Sequence, residues 1–197
     1  MEVSKHYDLL VENGNDPFLD CKELSDYMDK WDGQVFLDLL ELNKTKSVLE
    51  IGCGTGRIAK KIVNKCNSYI GIDVSPKTIN LAQIHFSNVD NADFICGDFI
   101  NHSFVYKFDV ICSTLTFMHV KNKSEFLNKV YNLLKPNGRF VLSIDKNQRT
   151  QLDTGYSKIQ VYPDNPENVL DNLIRVGFKN IIKLEIENAF LFSAQNI

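Results

Sequence analysis

The sequence has no Cys-x-x-Cys pair and only four histidines, so a zinc cluster has no framework. Its five cysteines, Cys21, Cys53, Cys66, Cys96 and Cys112, are an odd number, which fits a reduced, cytoplasmic setting better than a disulfide scaffold. Cys53, Cys96 and Cys112 sit in or beside apolar runs, where a free thiol is expected to act as a small buried hydrophobe. No apolar run approaches the ~18 residues of a membrane span. The opening Met1-Glu-Val-Ser-Lys-His6 also lacks the apolar core of a secretion signal. The expectation is a chain that is neither secreted nor membrane-spanning. A basic excess is missing too: 22 Lys and Arg face 25 Asp and Glu, a net charge of -3. That balance argues against the phosphate backbone of nucleic acid as the main partner, since such proteins carry a strong positive excess. Internal repeats and low-complexity segments are absent.

What is present is an ordinary globular composition, 44% hydrophobic and 24% charged, over 197 residues. That length suits a single domain, residues 1–197, with a sizeable core. From Ser47 onward, short apolar β-branched runs alternate with helical patterns. Strands are predicted at 47–51, 69–73, 92–96, 108–112 and 138–144. Helices are predicted at 55–66, 75–86 and 123–134, and a last one begins at Asn165-Pro166 and stops at Gly177. Asn122 and Glu125 stand at capping-box spacing before the third helix. Two final runs, 181–186 and 189–194, flank Glu187-Asn188 and predict a hairpin that puts an antiparallel edge strand on the sheet. This alternation means an α/β fold with helices on both faces. Residues 1–45 fall outside it and read as a helical cap, with Leu24, Tyr27, Trp31, Val35, Leu39 and Leu40 along one stripe; residues 47–197 form the core. Lys60-Lys61 reads as a solvated helix face.

Val48-Leu-Glu-Ile-Gly-Cys-Gly-Thr-Gly-Arg57 places Gly52, Gly54 and Gly56 between a strand and a helix. Glycines there allow a sharp turn and close approach of a ligand to the main chain, and the helix N-terminus offers free N–H groups. The next strand ends at Asp73, whose carboxylate can accept both hydroxyls of a ribose or cap the helix that follows. A dinucleotide site wants a small residue at the sixth position of its glycine motif. Arg57 stands there instead, which disfavours a nicotinamide-dependent oxidoreductase.

Glu50-x-Gly-x-Gly-x-Gly56 resembles the first motif of the class I S-adenosylmethionine-dependent methyltransferases, where an acidic residue opens the glycine loop. The resemblance continues through Gly71-Ile-Asp-Val-Ser-Pro-Lys77, Cys96-Gly-Asp-Phe99, Phe108-Asp-Val-Ile-Cys-Ser-Thr-Leu-Thr-Phe-Met-His119 and Leu133-Leu-Lys-Pro-Asn-Gly-Arg-Phe140, in order over residues 47–145. It implies a Rossmann-like, seven-stranded, mostly parallel sheet and S-adenosyl-L-methionine as cofactor, with S-adenosyl-L-homocysteine as product. It also implies a cofactor-binding set of Glu50, Gly52, Cys53, Gly54, Gly56, Asp73, Val74, Asp98, Phe99 and Ser113. In that set Asp98 meets the adenine amino group, Phe99 packs near the ring, and Ser113 is a main-chain wall of the methionine half. Glu50 either meets the cofactor or shapes the loop by binding its amides.

The acceptor side is less defined. His119, just past the fourth strand, is a candidate general base or a structural histidine at the pocket mouth. Asp145 and Arg149 either bind a charged acceptor or lie on a solvated loop, and Tyr7, Trp31 and Tyr156 are candidate lid aromatics. No Asn-Pro-Pro-Tyr, Asp-Pro-Pro-Tyr or Pro-Cys sequence occurs, so the patterns tied to nucleic-acid base methylation are missing. The reading is a methyltransferase for a small-molecule acceptor, monomeric or homodimeric, with no metal, nucleic-acid or membrane partner. A cofactor-binding module without activity is the alternative.

Overall fold

A computed structural model describes residues 2–197. Three helices come first: α1 (Val3–Glu12), α2 (Lys22–Asp32) and α3 (Gln34–Leu39). The alternating core follows as β1 (Ser47–Ile51), α4 (Ala59–Ile62), β2 (Ser68–Asp73), α5 (Pro76–His85), β3 (Ala92–Cys96), β4 (Phe108–Thr114), α6 (Lys123–Leu133) and β5 (Leu134–Asp145). After a small hairpin of β6 (Gln151–Asp153) and β7 (Lys158–Gln160) come α7 (Pro166–Val176), β8 (Lys179–Glu185) and β9 (Ala189–Gln195). The main sheet runs β3-β2-β1-β4-β5-β9-β8, a seven-stranded, mostly parallel Rossmann-like arrangement. The predicted hairpin forms its edge; the reversed strand is β9, antiparallel to both β5 and β8, so it lies second from the end.

Alternation along each strand sorts the apolar side chains into two cores. Leu49 and Ile51 join Phe126, Phe140, Phe178 and Phe192 beneath α6 and α7. Val48 joins Phe36, Ile58, Ile62 and Phe86 on the other face, beneath α3, α4 and α5. Strand order reverses between β1 and β4, the place where open α/β sheets bind ligands at their carboxyl ends.

Local signals fixed several boundaries. Ser75 caps α5 by accepting the Thr78 N–H, Asn122 accepts the Glu125 N–H, and Asn165 accepts from both Glu167 and Asn168. Gly177 ends α7 at φ +114°, a left-handed position that favours glycine.

Other expectations are corrected. The helix predicted over 55–66 shrinks to Ala59–Ile62 and a 3-10 turn, because the glycine loop consumes its first residues. The cap is not one stripe: the chain breaks at Gly33, leaving Leu24, Tyr27 and Val35 exposed while Phe36 and Leu40 are fully buried. Cys96 is exposed rather than buried as expected. Among the described residues, no helix is long and apolar enough to cross a membrane.

Candidate active site

A cavity of about 560 Å³ opens at the carboxyl ends of β1, β2 and β4, within the size range of small-molecule sites. Its floor is the turn after β1. Gly52 (φ +75°) has its α-carbon against Thr116, so that a Cβ there would lie 1.9 Å from Oγ1. Gly54 (φ +56°) faces open space, leaving the backbone bare toward the cavity. Gly56 is turned away: its α-carbon abuts the Phe86 ring and it does not line the cavity, so it serves packing rather than contact. Asp73, at the end of β2, accepts the Gly54 N–H (3.1 Å) and the Ser75 N–H (3.0 Å). It therefore joins the floor to the neighbouring strand, while desolvation raises its pKa.

Glu50 lies deeper, 2% exposed, and accepts the Tyr69 hydroxyl at 2.6 Å. Burial raises its pKa to about 8, against the lowering effects of Tyr69 and Arg57. A buried carboxyl so poised gains most from a cationic ligand group, whose charge would favour ionisation. Cys53 and Val74 also line the cavity, and burial pushes the Cys53 thiol up. Asp98 stands exposed at the rim, where its oxygens accept the Ile100 N–H (3.0 Å) and the Asn101 side-chain amide. Phe99 is buried beside it, packed on Phe126 with ring centroids 5.0 Å apart.

The exit of β4 supplies the facing wall through Thr114, Leu115 and Thr116. Leu115 has φ +51°, a left-handed backbone that a branched side chain rarely adopts. Ser113 is not part of this wall; its hydroxyl turns back into the sheet and donates to the Ile51 carbonyl at 2.9 Å. The alternation of β4 explains the difference by one residue.

The roof comes from the cap. Val3 and Tyr7 of α1, Pro17 of the 3-10 turn that precedes α2, and Met28 of α2 line the cavity. Tyr7 hydroxyl and His119 Nε2 are 2.8 Å apart, and the His119 Nδ1 is buried without a partner. Burial, reinforced by His6 and Lys123, depresses the His119 pKa to about 4. His119 is thus neutral at pH 7 and a weak base. His6, fully buried on α1, bonds Ser157 on the β6–β7 turn at 2.5 Å, which ties the cap to that hairpin.

Four candidates stand away from the cavity. Trp31 donates to Asp145 at 3.1 Å, so these two satisfy each other between α2 and β5. Arg149 and Tyr156 are exposed, Tyr156 at 59%. The lysines read as a solvated face instead hold the cap: Lys60 donates to the Phe18 carbonyl at 3.0 Å, and Lys61 pairs with Asp29. Sequence reasoning missed Arg57 and Thr114 as cavity residues. Both bind Asp32, and the signals were the large side chain ending the glycine motif and the acid in Trp31-Asp-Gly33.

Known proteins share this fold. Residues 42–181 match the family described as a methyltransferase domain. Malonyl-(acyl-carrier protein) O-methyltransferase 1 of Ilyobacter polytropus is 33% identical over 102 residues, 51% of this chain and 38% of that protein. The match therefore spans well under half the length of this curated relative. The solved DhpI–SAH complex superposes with a TM-score of 0.76 at 16% identity, covering 97% of this chain and 93% of that one. The N-methyltransferase NodS of Bradyrhizobium japonicum gives 0.66 at 19% identity, covering 89% and 98%. The chain belongs to the methyltransferase-domain family, of class I by its strand order, whose cofactor is S-adenosylmethionine.

Proposed function

We propose that this chain transfers a methyl group from S-adenosylmethionine to a small-molecule acceptor enclosed beneath the cap. The observation that carries this reading is one continuous cavity with acidic side chains on its floor and an apolar, cap-derived roof. The donor set fits the cofactor. Asp73 would hold the ribose hydroxyls, Glu50 the ammonium group, and Asp98 with Phe99 the adenine end, while the bare backbone at Gly54 leaves room for close approach. When bound, the cofactor supplies an electrophilic methyl carbon on a sulfonium that leaves as a neutral thioether.

The chain's own work is then positional. Holding an acceptor atom in line at near-attack distance converts a bimolecular step into an effectively unimolecular one. Thr114–Thr116 and the glycine turn fix one side of the pocket, and Tyr7 with His119 fix the other. The Tyr7 hydroxyl oxygen keeps a lone pair beyond this bond, which can orient a hydroxyl or amine acceptor. His119 therefore acts in positioning rather than as a strong general base. The five unpaired thiols support a reducing, cytoplasmic setting.

Calorimetric titration with S-adenosylmethionine and S-adenosylhomocysteine tests the cofactor half; no binding at high micromolar concentration would sink it. A panel of acceptor metabolites, scored by release of S-adenosylhomocysteine, tests the rest. Turnover only on a macromolecular acceptor would overturn the small-molecule reading.

A further inference from the structure

Asp32 is the last residue of α2, fully buried, and belongs to the cap rather than to the sheet. Its carboxylate takes both ends of the Arg57 guanidinium, at 2.8 and 2.5 Å, and also accepts the Thr114 hydroxyl at 2.6 Å. Arg57 and Thr114 line the cavity, as does Glu50. The Arg57 charge is felt at Glu50, where it opposes the effect of burial. Two acids therefore compete for one guanidinium, and the bidentate geometry awards it to Asp32.

We infer that Asp32 is a positioning residue for the cofactor: by committing Arg57 to the cap, it leaves Glu50 without a cationic partner and so available to the ligand's ammonium group. The inference rests on the functional reading above. Charge balance carries it. With Arg57 paired to Asp32, the buried trio is neutral only while Glu50 keeps its proton. Arrival of an ammonium group ionises Glu50, and the proton passes to solvent. Without Asp32, Arg57 loses its bidentate partner; of the acids that still act on it, Glu50 outweighs Asp29, which Lys61 already holds, so Glu50 becomes its counter-ion. The trio is then already neutral, and an incoming ammonium finds no acid to pair with.

The remaining groups around Glu50 do not substitute for Asp32. Tyr69 donates a neutral hydroxyl, Cys53 and Cys112 are buried thiols whose pKa burial pushes up, and Asp73 adds like charge. Arg57 is the one cation among the groups that act on Glu50. The cap thus contributes to cofactor binding through an ion pair that touches no part of the cofactor.

The test uses D32N, which keeps the shape of the side chain, and the double variant D32N/R57M, which removes the competing cation as well. Calorimetry at pH 7 in buffers of different ionisation enthalpy counts protons. The wild type should release about one proton per S-adenosylmethionine bound, D32N close to none, and the double variant about one again. Affinity should fall about tenfold or more in D32N and recover most of that loss in the double variant. If Asp32 were only a clamp, the double variant would bind no better than D32N, and the inference would fall. Should D32N alone not fold, the double variant still decides: tight, proton-releasing binding supports the inference, and lost binding overturns it. A carbon-13 carboxyl titration of the cofactor-free chain separates this idea from the functional reading. A lower Glu50 midpoint in D32N than in the wild type supports it even if no cofactor bound; an unchanged midpoint overturns it.

Discussion

The floor of the pocket and its roof are built by different means. The floor is mostly main chain: the Gly54 N–H reaches Asp73 on the adjacent strand, and bare glycine backbone sets the surface. The roof is side chain on side chain between distant segments. Asp32 reaches Arg57 and Thr114, Tyr7 reaches His119, and His6 reaches Ser157. Backbone geometry restricts residue type strictly, because a glycine in a left-handed turn tolerates few replacements. A side-chain contact across the fold imposes no local pattern. The floor therefore announces itself in a motif and the roof does not, although both enclose the same cavity.

Substitutions in the two halves should break this comparison in different ways. The largest effect is expected in the cap: Phe36→Ala empties a fully buried site against Val48 and Ile62, and should cost roughly 3–5 kcal/mol in chemical denaturation. A single transition shifted as a whole would show that cap and sheet unfold together; an early partial transition would show that the roof is separable. Next, Asp73→Ala should weaken S-adenosylmethionine binding about tenfold or more, roughly 1.4 kcal/mol, while changing stability less than Phe36→Ala does. An unchanged affinity would remove Asp73 from the cofactor site.

An effect of comparable size comes from pH. Glu50 holds its proton up to about pH 8, and an ammonium ligand requires the ionised form. Below that pH, binding must expel the proton, so affinity should rise with pH by up to about tenfold per unit between pH 6 and 7.5 and level off near 8. For folding the sign is opposite. The unfolded chain ionises Glu50 from its ordinary value near 4.5, so this group's contribution to stability falls as pH rises from there to 8. An affinity flat across that range would place Glu50 outside the ammonium site. Least of all, Tyr156→Ala and Arg149→Ala should leave cofactor affinity within about twofold, since exposed side chains seldom move such quantities. A large loss at either position would mean that the exposed residues around the β6–β7 hairpin also act on the site.

The legible part of this molecule was whatever short-range physics controls. Ser75, Asn122 and Asn165 marked helix starts because each satisfies amides within three residues of itself. Strands β1 to β4 were readable because their apolar runs are short and bounded. Ser113 was misplaced as a wall because periodicity in a fully buried strand does not reveal which face meets a ligand. Trp31 and Asp145 were individually plausible as site residues; only their bond to each other shows that they are already satisfied. Lys60 and Lys61 look like any solvated pair until the cap is folded onto them.

The sequence by itself determined the alternating fold, the glycine turn and the acids that converge on it, because backbone conformation and strand-to-strand adjacency follow from local residue choice. Only the tertiary structure decided which charges meet. Arg57 pairs with Asp32 rather than Glu50 because α2 brings a fully buried carboxylate within reach of both guanidinium nitrogens. A distance of that kind depends on how helices pack, which no local pattern encodes.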